Sequence, residues 1–90
     1  MSEIKKGNSS FFIEDKGEKV AEIHYVPNEA GFEVDSTHVS NALSGQGVGE
    51  SLVRRMVEFA RDQHKKIVAT CPFAKAQIEK HPELQDVLAK

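Results

Sequence analysis

The sequence predicts an α/β fold with a mixed sheet, in which an antiparallel β-meander leads into a β-α-β crossover and C-terminal helices. Three observations carry this reading. Strand-like segments follow one another over residues 10–39, joined by connections too short for a parallel crossover. The apolar period then changes from roughly 2 to roughly 3.6 residues, the switch from strand to helix. A short apolar run follows that helix at once, and a strand-helix-strand order implies parallel pairing through a right-handed crossover.

Residues 1–9 read as a loose lead-in or an edge strand. SFFIED at 10–15 is the first clear strand, and DKGE at 15–18 has turn chemistry, because Gly17 tolerates positive φ. KVAEIHYV at 19–26 alternates: Ala21, Ile23 and Tyr25 share one face, Val20, Glu22, His24 and Val26 the other. PNEAG at 27–31 is a turn, since Pro27 cannot donate to a ladder and Asn28 favours turns. FEVDSTHV at 32–39 is the third strand, with Phe32 and Val34 opposed to Glu33 and Asp35. Val48, Leu52, Val53, Met56, Val57 and Ala60 then recur at helical spacing, opposite Glu50, Arg54, Arg55, Glu58, Arg61 and Asp62, which predicts a helix over about 47–64. KIVATC at 66–71 reads as a buried strand. Pro72 suits the first turn of a helix over 72–81, and PELQDVLAK gives a last short helix from near Pro82.

Ninety residues with 39% hydrophobic and 29% charged side chains fit one small globular domain over 1–90. A net charge of -2 argues against a nucleic-acid partner. No apolar run reaches transmembrane length, and the polar N-terminus lacks the apolar stretch of a secretory signal, so no membrane role is expected. One cysteine excludes an intrachain disulfide, and with four scattered histidines it shows no metal-ligand spacing. These features predict a cytoplasmic protein without a metal.

Gly45, Gly47 and Gly49 cluster in LSGQGVGESLV at 43–53, between a strand and the N-terminus of the longest helix. Unpaired amides and the helix dipole make such a junction an anion site, and glycines let a phosphate approach the backbone. The plain alternative is a tight turn. A P-loop is excluded because Gly49-Glu50-Ser51 lacks the lysine, and G-x-G-x-G is not the Rossmann spacing.

SGQGVG within that stretch resembles the Arg/Gln-x-x-Gly-x-Gly/Ala signature of the GNAT superfamily of acetyl-coenzyme A-dependent N-acetyltransferases, with Gly47 and Gly49 on its glycines and Ser44 where the family usually has Arg or Gln. CPFAKAQIEKHPEL at 71–84 is similar to the end of a small, simplified subgroup with a Cys-Pro-aromatic segment and a His-Pro. The resemblance covers roughly residues 10–81 and implies a minimal GNAT-like domain. It implies acetyl-coenzyme A as co-substrate, its pyrophosphate on Gly45, Gln46, Gly47, Val48, Gly49 and Glu50, and backbone amides at His38 and Val39 serving the thioester carbonyl. Only DKGE stands where the family usually inserts two helices, which leaves the acceptor side open or completed by a partner.

Acetyl transfer to an amine needs a base for the amine, a donor for the oxyanion and a proton for the departing thiolate. The family's tyrosine acid is missing, because the single tyrosine, Tyr25, lies on an earlier strand and Phe73 has no proton to give. Cys71 stands just before the helix opened by Pro72, where a thiol gains acidity and reactivity. It is a candidate general acid or acyl-carrying nucleophile, or a buried structural cysteine. His38 is a candidate base, or else a strand residue whose backbone alone matters. His24 reads as half-exposed, Glu33 and Asp35 as a solvated face, and His64, Lys65 and Lys66 as cations complementing a helix C-terminus. Arg54 and Arg55 are placed to reach the 3′-phosphate of coenzyme A, or are simply solvated. The expected activity is acetyl transfer to a primary amine, small-molecule or protein. A non-catalytic acyl-coenzyme A-binding module is the alternative, and a small interaction domain is a third reading.

Overall fold

The turn at Lys16 and Gly17 sets how the two strands on either side of it begin to pair. Both residues take positive φ, 54° and 81°, the pattern of a type I′ two-residue hairpin. The flanking strands therefore meet at Asp15 and Glu18. A computed structural model describes residues 4–40 and 47–88 of the chain. Its strands are β1 (Ile4–Lys6), β2 (Ser10–Asp15), β3 (Glu18–Pro27), β4 (Gly31–Val39) and β5 (Lys66–Ala69). Helix α1 (Val48–Asp62) joins β4 to β5, and α2 (Pro72–Lys80) and a 3-10 helix (Pro82–Val87) follow.

The five strands lie in sequence order, antiparallel from β1 to β4 and parallel between β4 and β5. This is the predicted mixed sheet, and the lead-in resolves to the edge strand β1. Two predicted elements are shorter or different. The fifth strand ends at Ala69 rather than Cys71, because Thr70 and Cys71 turn away to start α2. The last helix is 3-10 rather than α, closed between Pro82 and Leu88.

Alternation decides what β3 buries. Ala21, Ile23 and Tyr25 point into the core, while Val20, Glu22, His24 and Val26 stay half-buried on the outer face. Phe11 and Ile13 from β2 and Val34 from β4 complete the inner face. Helix α1 covers it with Val48, Leu52, Val53, Met56, Val57 and Ala60, the apolar stripe read from the sequence. Fully burying one such leucine or valine contributes roughly 1.5–3 kcal/mol. Ala74 and Ile78 of α2 and Leu84 and Val87 of the 3-10 helix join the same core. Tyr25 belongs to an aromatic cluster, its ring centroid 5.2 Å from Phe32 and 5.8 Å from Phe59. It is therefore a packing residue.

Helix α1 ends in a Schellman motif: Lys65 N–H bonds the Ala60 carbonyl and His64 N–H bonds that of Arg61. His64 occupies the left-handed position, φ 57°, that glycine usually takes. On the solvent side, Arg54 bridges Glu50 (3.2 Å) and Glu83 (2.9 Å), and His81 Nε2 lies 3.1 Å from Glu50, tying α1 to the C-terminal segment. Arg61 forks onto Asp86 in the same way. No helix among the described residues is long and apolar enough to cross a membrane.

Candidate active site

A bulge in β4 opens the sheet. His24 pairs with Ser36, yet the next rung joins Tyr25 to Val34, so Asp35 is an extra residue on β4. On its other edge β4 pairs with β5 only from Gly31 to Val34. The Val34 carbonyl accepts both the Thr70 and the Cys71 amides, each at 3.1 Å, and there the two strands part. From Asp35 to Val39 the far edge of β4 has no β5 partner. The result is a wedge-shaped gap with its apex at Val34.

The bulge also decides which amides face the gap. Ser40 N–H bonds the Val20 carbonyl at 2.7 Å, so by alternation His38 and Ser36 turn their backbone groups toward β3. Thr37 and Val39 turn theirs toward the gap. The Val39 amide thus faces the gap, whereas the His38 amide is spent in the β3 ladder. The side chains alternate as well. Thr37 sits opposite the buried Ile23, on the helix-covered face, and His38 sits opposite Glu22 on the outer face. Cys71 and His38 are therefore on opposite sides of the sheet and are not brought together.

Cys71 occupies the N-cap of α2 at the apex of the gap, 6% exposed, its thiol 3.5 Å from the Thr37 hydroxyl. Burial pushes the thiol up. The Thr37 hydroxyl, which accepts from the thiol and can turn to donate to the thiolate, and the nearby Ala74, Phe73 and Thr37 amides outweigh it, and the balance lies below the ordinary thiol value. Sequence reasoning missed Thr37. Unbroken alternation from Val34 would put Thr37 on the outer face with Asp35, and the bulge that turns it toward Cys71 leaves no trace in residue types.

The glycine cluster divides. Gly45 and Gln46 lie outside the described residues. Gly47 caps α1 in the left-handed region, φ 73°, with no side chain to bond the first-turn amides. Among the described residues no side chain caps Val48, Gly49 or Glu50, and the first-turn amides of a helix suit an anion. Gly49 has a different reason. A Cβ there would lie 2.5 Å from Phe73 Cζ, so this glycine makes room for an aromatic ring. Its amide remains in the first turn. The Glu50 side chain is engaged with Arg54 and His81, and the Arg54 hydrogen bond chiefly holds its carboxyl below the usual range. Arg54 is thereby committed within the protein, and Arg55 lies over the Phe11 ring at 5.0 Å. Phe73 itself is 40% exposed beside the two helix N-termini.

Two further groups gather at the apex on the outer face. His24 Nδ1 lies 2.7 Å from Asp35 Oδ1, and Thr70 Oγ1 donates to Glu33 at 3.1 Å. The sequence placed His24 and Asp35 on separate strands as solvated residues. The bulge at Asp35 is what joins them. Among the described residues no cluster of three or more His, Cys, Asp or Glu side chains is arranged to hold a metal ion.

The chain has counterparts among known proteins. A family model described as GCN5-related N-acetyl-transferase matches residues 10–87. The chain belongs to this N-acetyltransferase family. The solution structure of a GCN5-like protein from Staphylococcus aureus superimposes with a TM-score of 0.80 at 43% identity, covering 97% of this chain and 87% of that one. A ribosomal-protein-alanine N-acetyltransferase from Brucella melitensis biovar Abortus 2308 shares the fold at 16% identity and a TM-score of 0.57, and this acetyltransferase spans 64% of its length. A search of curated proteins returned no match.

Proposed function

We propose that this N-acetyltransferase takes its acetyl group from acetyl-coenzyme A and passes it to a primary amine by way of Cys71. The observation that carries the proposal is the donor shell around the Cys71 thiol at the apex of the β4–β5 gap. In this reading the pyrophosphate rests on the amides of Gly47, Val48, Gly49 and Glu50, together with Gly45 and Gln46. The pantetheine arm lies along the gap beside Val39. The thioester then meets a thiol that gives up its proton more readily than an ordinary one, which suits a nucleophile.

The chemistry balances without a further reagent. The Cys71 sulfur attacks the acetyl carbonyl carbon while the Val39 amide donates to the oxyanion. The bond to the coenzyme sulfur breaks, its electron pair leaves with that sulfur, and solvent supplies the proton. The amine nitrogen then attacks acetyl-Cys71, and the thiol is regenerated. A reducing compartment suits this cycle because Cys71 must remain a thiol.

The test is acid-quenched intact-mass analysis after mixing with acetyl-coenzyme A alone. The expected result is one added acetyl group, mapped to Cys71 and discharged by butylamine. Turnover with no adduct, and equal turnover in Cys71→Ala, would reject the carrier role. Binding of the donor without turnover in either protein would support a non-catalytic binding module instead.

A further inference from the structure

Glu50 is the third residue of α1. A glutamate at that position ordinarily turns back toward the first-turn amides, where the helix dipole favours its charge. Here the carboxylate is led the other way. Oε2 accepts from Arg54 Nε at 3.2 Å, one turn further into the helix, and Oε1 lies 3.1 Å from His81 Nε2. A carboxylate only accepts, so His81 Nε2 carries the hydrogen. Arg54 Nη2 donates to Glu83 at 2.9 Å and lies 3.4 Å from His81 Nδ1, the free acceptor of the neutral ring. When the ring is protonated, Nδ1 has Glu83 Oε1 at 3.5 Å instead. Either protonation state therefore keeps the Nε2 hydrogen on Glu50. The His81 backbone is fixed where two elements meet. Its amide bonds the Ile78 carbonyl at the end of α2, and its carbonyl accepts from the Leu84 amide at the start of the 3-10 helix.

We propose that His81, with Arg54, is a positioning residue for the acyl donor: it holds the Glu50 carboxylate off the first turn of α1, so that the amides of Gly47 to Glu50 stay open to the pyrophosphate. The proposal rests on the reading that the pyrophosphate binds those amides. Two anions compete for one set of donors. A released Glu50 needs only a rotation of its own side chain to reach them, and it would then both occupy the amides and repel the phosphates. Arg54 alone does not suffice, because its guanidinium is shared with Glu83. His81 takes the carboxylate oxygen that Arg54 leaves. The C-terminal segment thereby acts on the donor site without touching the donor.

The test separates this role from a structural one. Affinity for acetyl-coenzyme A and for S-acetylpantetheine, which lacks the phosphates, is measured by calorimetry in wild type, His81→Ala, Glu50→Gln and the double variant. His81→Ala should bind acetyl-coenzyme A about fivefold more weakly and S-acetylpantetheine as before. Glu50→Gln should bind acetyl-coenzyme A more tightly, and with it in place His81→Ala should change that affinity by less than about twofold. His81→Gln, which keeps an N–H donor near the Nε2 position, should recover most of the loss. Unchanged affinity in His81→Ala, an equal loss for both ligands, or an equal loss with Glu50→Gln in place overturns the proposal. If His81→Ala misfolds, Arg54→Met is put through the same cycle with Glu50→Gln. Failure of the underlying reading looks different: a wild type that binds acetyl-coenzyme A no more tightly than S-acetylpantetheine has no pyrophosphate seat for Glu50 to obstruct, and both then fall.

Discussion

Replacing Thr37 by valine removes one hydroxyl from the Cys71 environment and leaves the side-chain shape almost unchanged. A hydrogen bond to a charged group contributes about 1.5–3 kcal/mol. The 3.5 Å contact to sulfur is long, and the amide donors at Thr37, Phe73 and Ala74 remain, so a share of about 1 kcal/mol is expected. A loss of that size raises the thiol. Neutral-pH thiolate then falls about fivefold. The assay is the pH dependence of iodoacetamide alkylation of Cys71, read by intact mass. The wild-type profile should turn below the ordinary thiol value and the Thr37→Val profile should move to higher pH. Formation of acetyl-Cys71 at neutral pH should slow in step. An unchanged or lower midpoint in a variant with a normal melting curve would refute the donor role of Thr37.

Three other outcomes follow from the packing and the surface charges. Gly49→Ala and Phe73→Ala should be coupled by about 1–2 kcal/mol in a double-mutant cycle, because the added methyl meets the ring only when the ring is present. Additive denaturation midpoints would contradict that contact. His64→Gly should stabilise by about 1 kcal/mol in urea unfolding, since it relieves a left-handed non-glycine residue at the end of α1. The carboxyls of Glu50, Glu83 and Asp86 are held low, Glu50 and Asp86 chiefly by arginine partners and Glu83 chiefly by its own amide. Their folded values lie below their unfolded ones, so this stabilisation is complete above the ordinary carboxylate range and is lost as pH falls through the folded values. Melting temperature should therefore drop below about pH 4, and less steeply in Arg54→Met.

Much of the fold was legible because periodicity reports burial directly. The alternation of Ala21, Ile23 and Tyr25 and the helical spacing from Val48 to Ala60 each name a buried face, and the structure buries those faces. The glycine stretch was legible as a strand-to-helix junction, yet the reason for Gly49 was not. It depends on where Phe73 lands, a contact between residues 24 apart in sequence. The candidate site was legible at Cys71, through its place before Pro72, and at Val39 through the family resemblance. Thr37, Asp35 and His24 were hidden because one extra residue in β4 moves them into position. A bulge changes which edge and which face a side chain meets, and no residue type in VDSTHV announces it. The His38 side chain was misplaced beside Cys71 for the same reason.

The β4–β5 gap is the proposed seat of the acyl donor. The most direct measurement is an amide NMR titration of the labelled protein with acetyl-coenzyme A, against coenzyme A and ATP. The account predicts saturable shifts at Thr37, Val39 and Cys71 and at Gly47 to Glu50, with acetyl-coenzyme A preferred over ATP. No saturable shift at those amides with acetyl-coenzyme A, or shifts confined to the outer face, would contradict it.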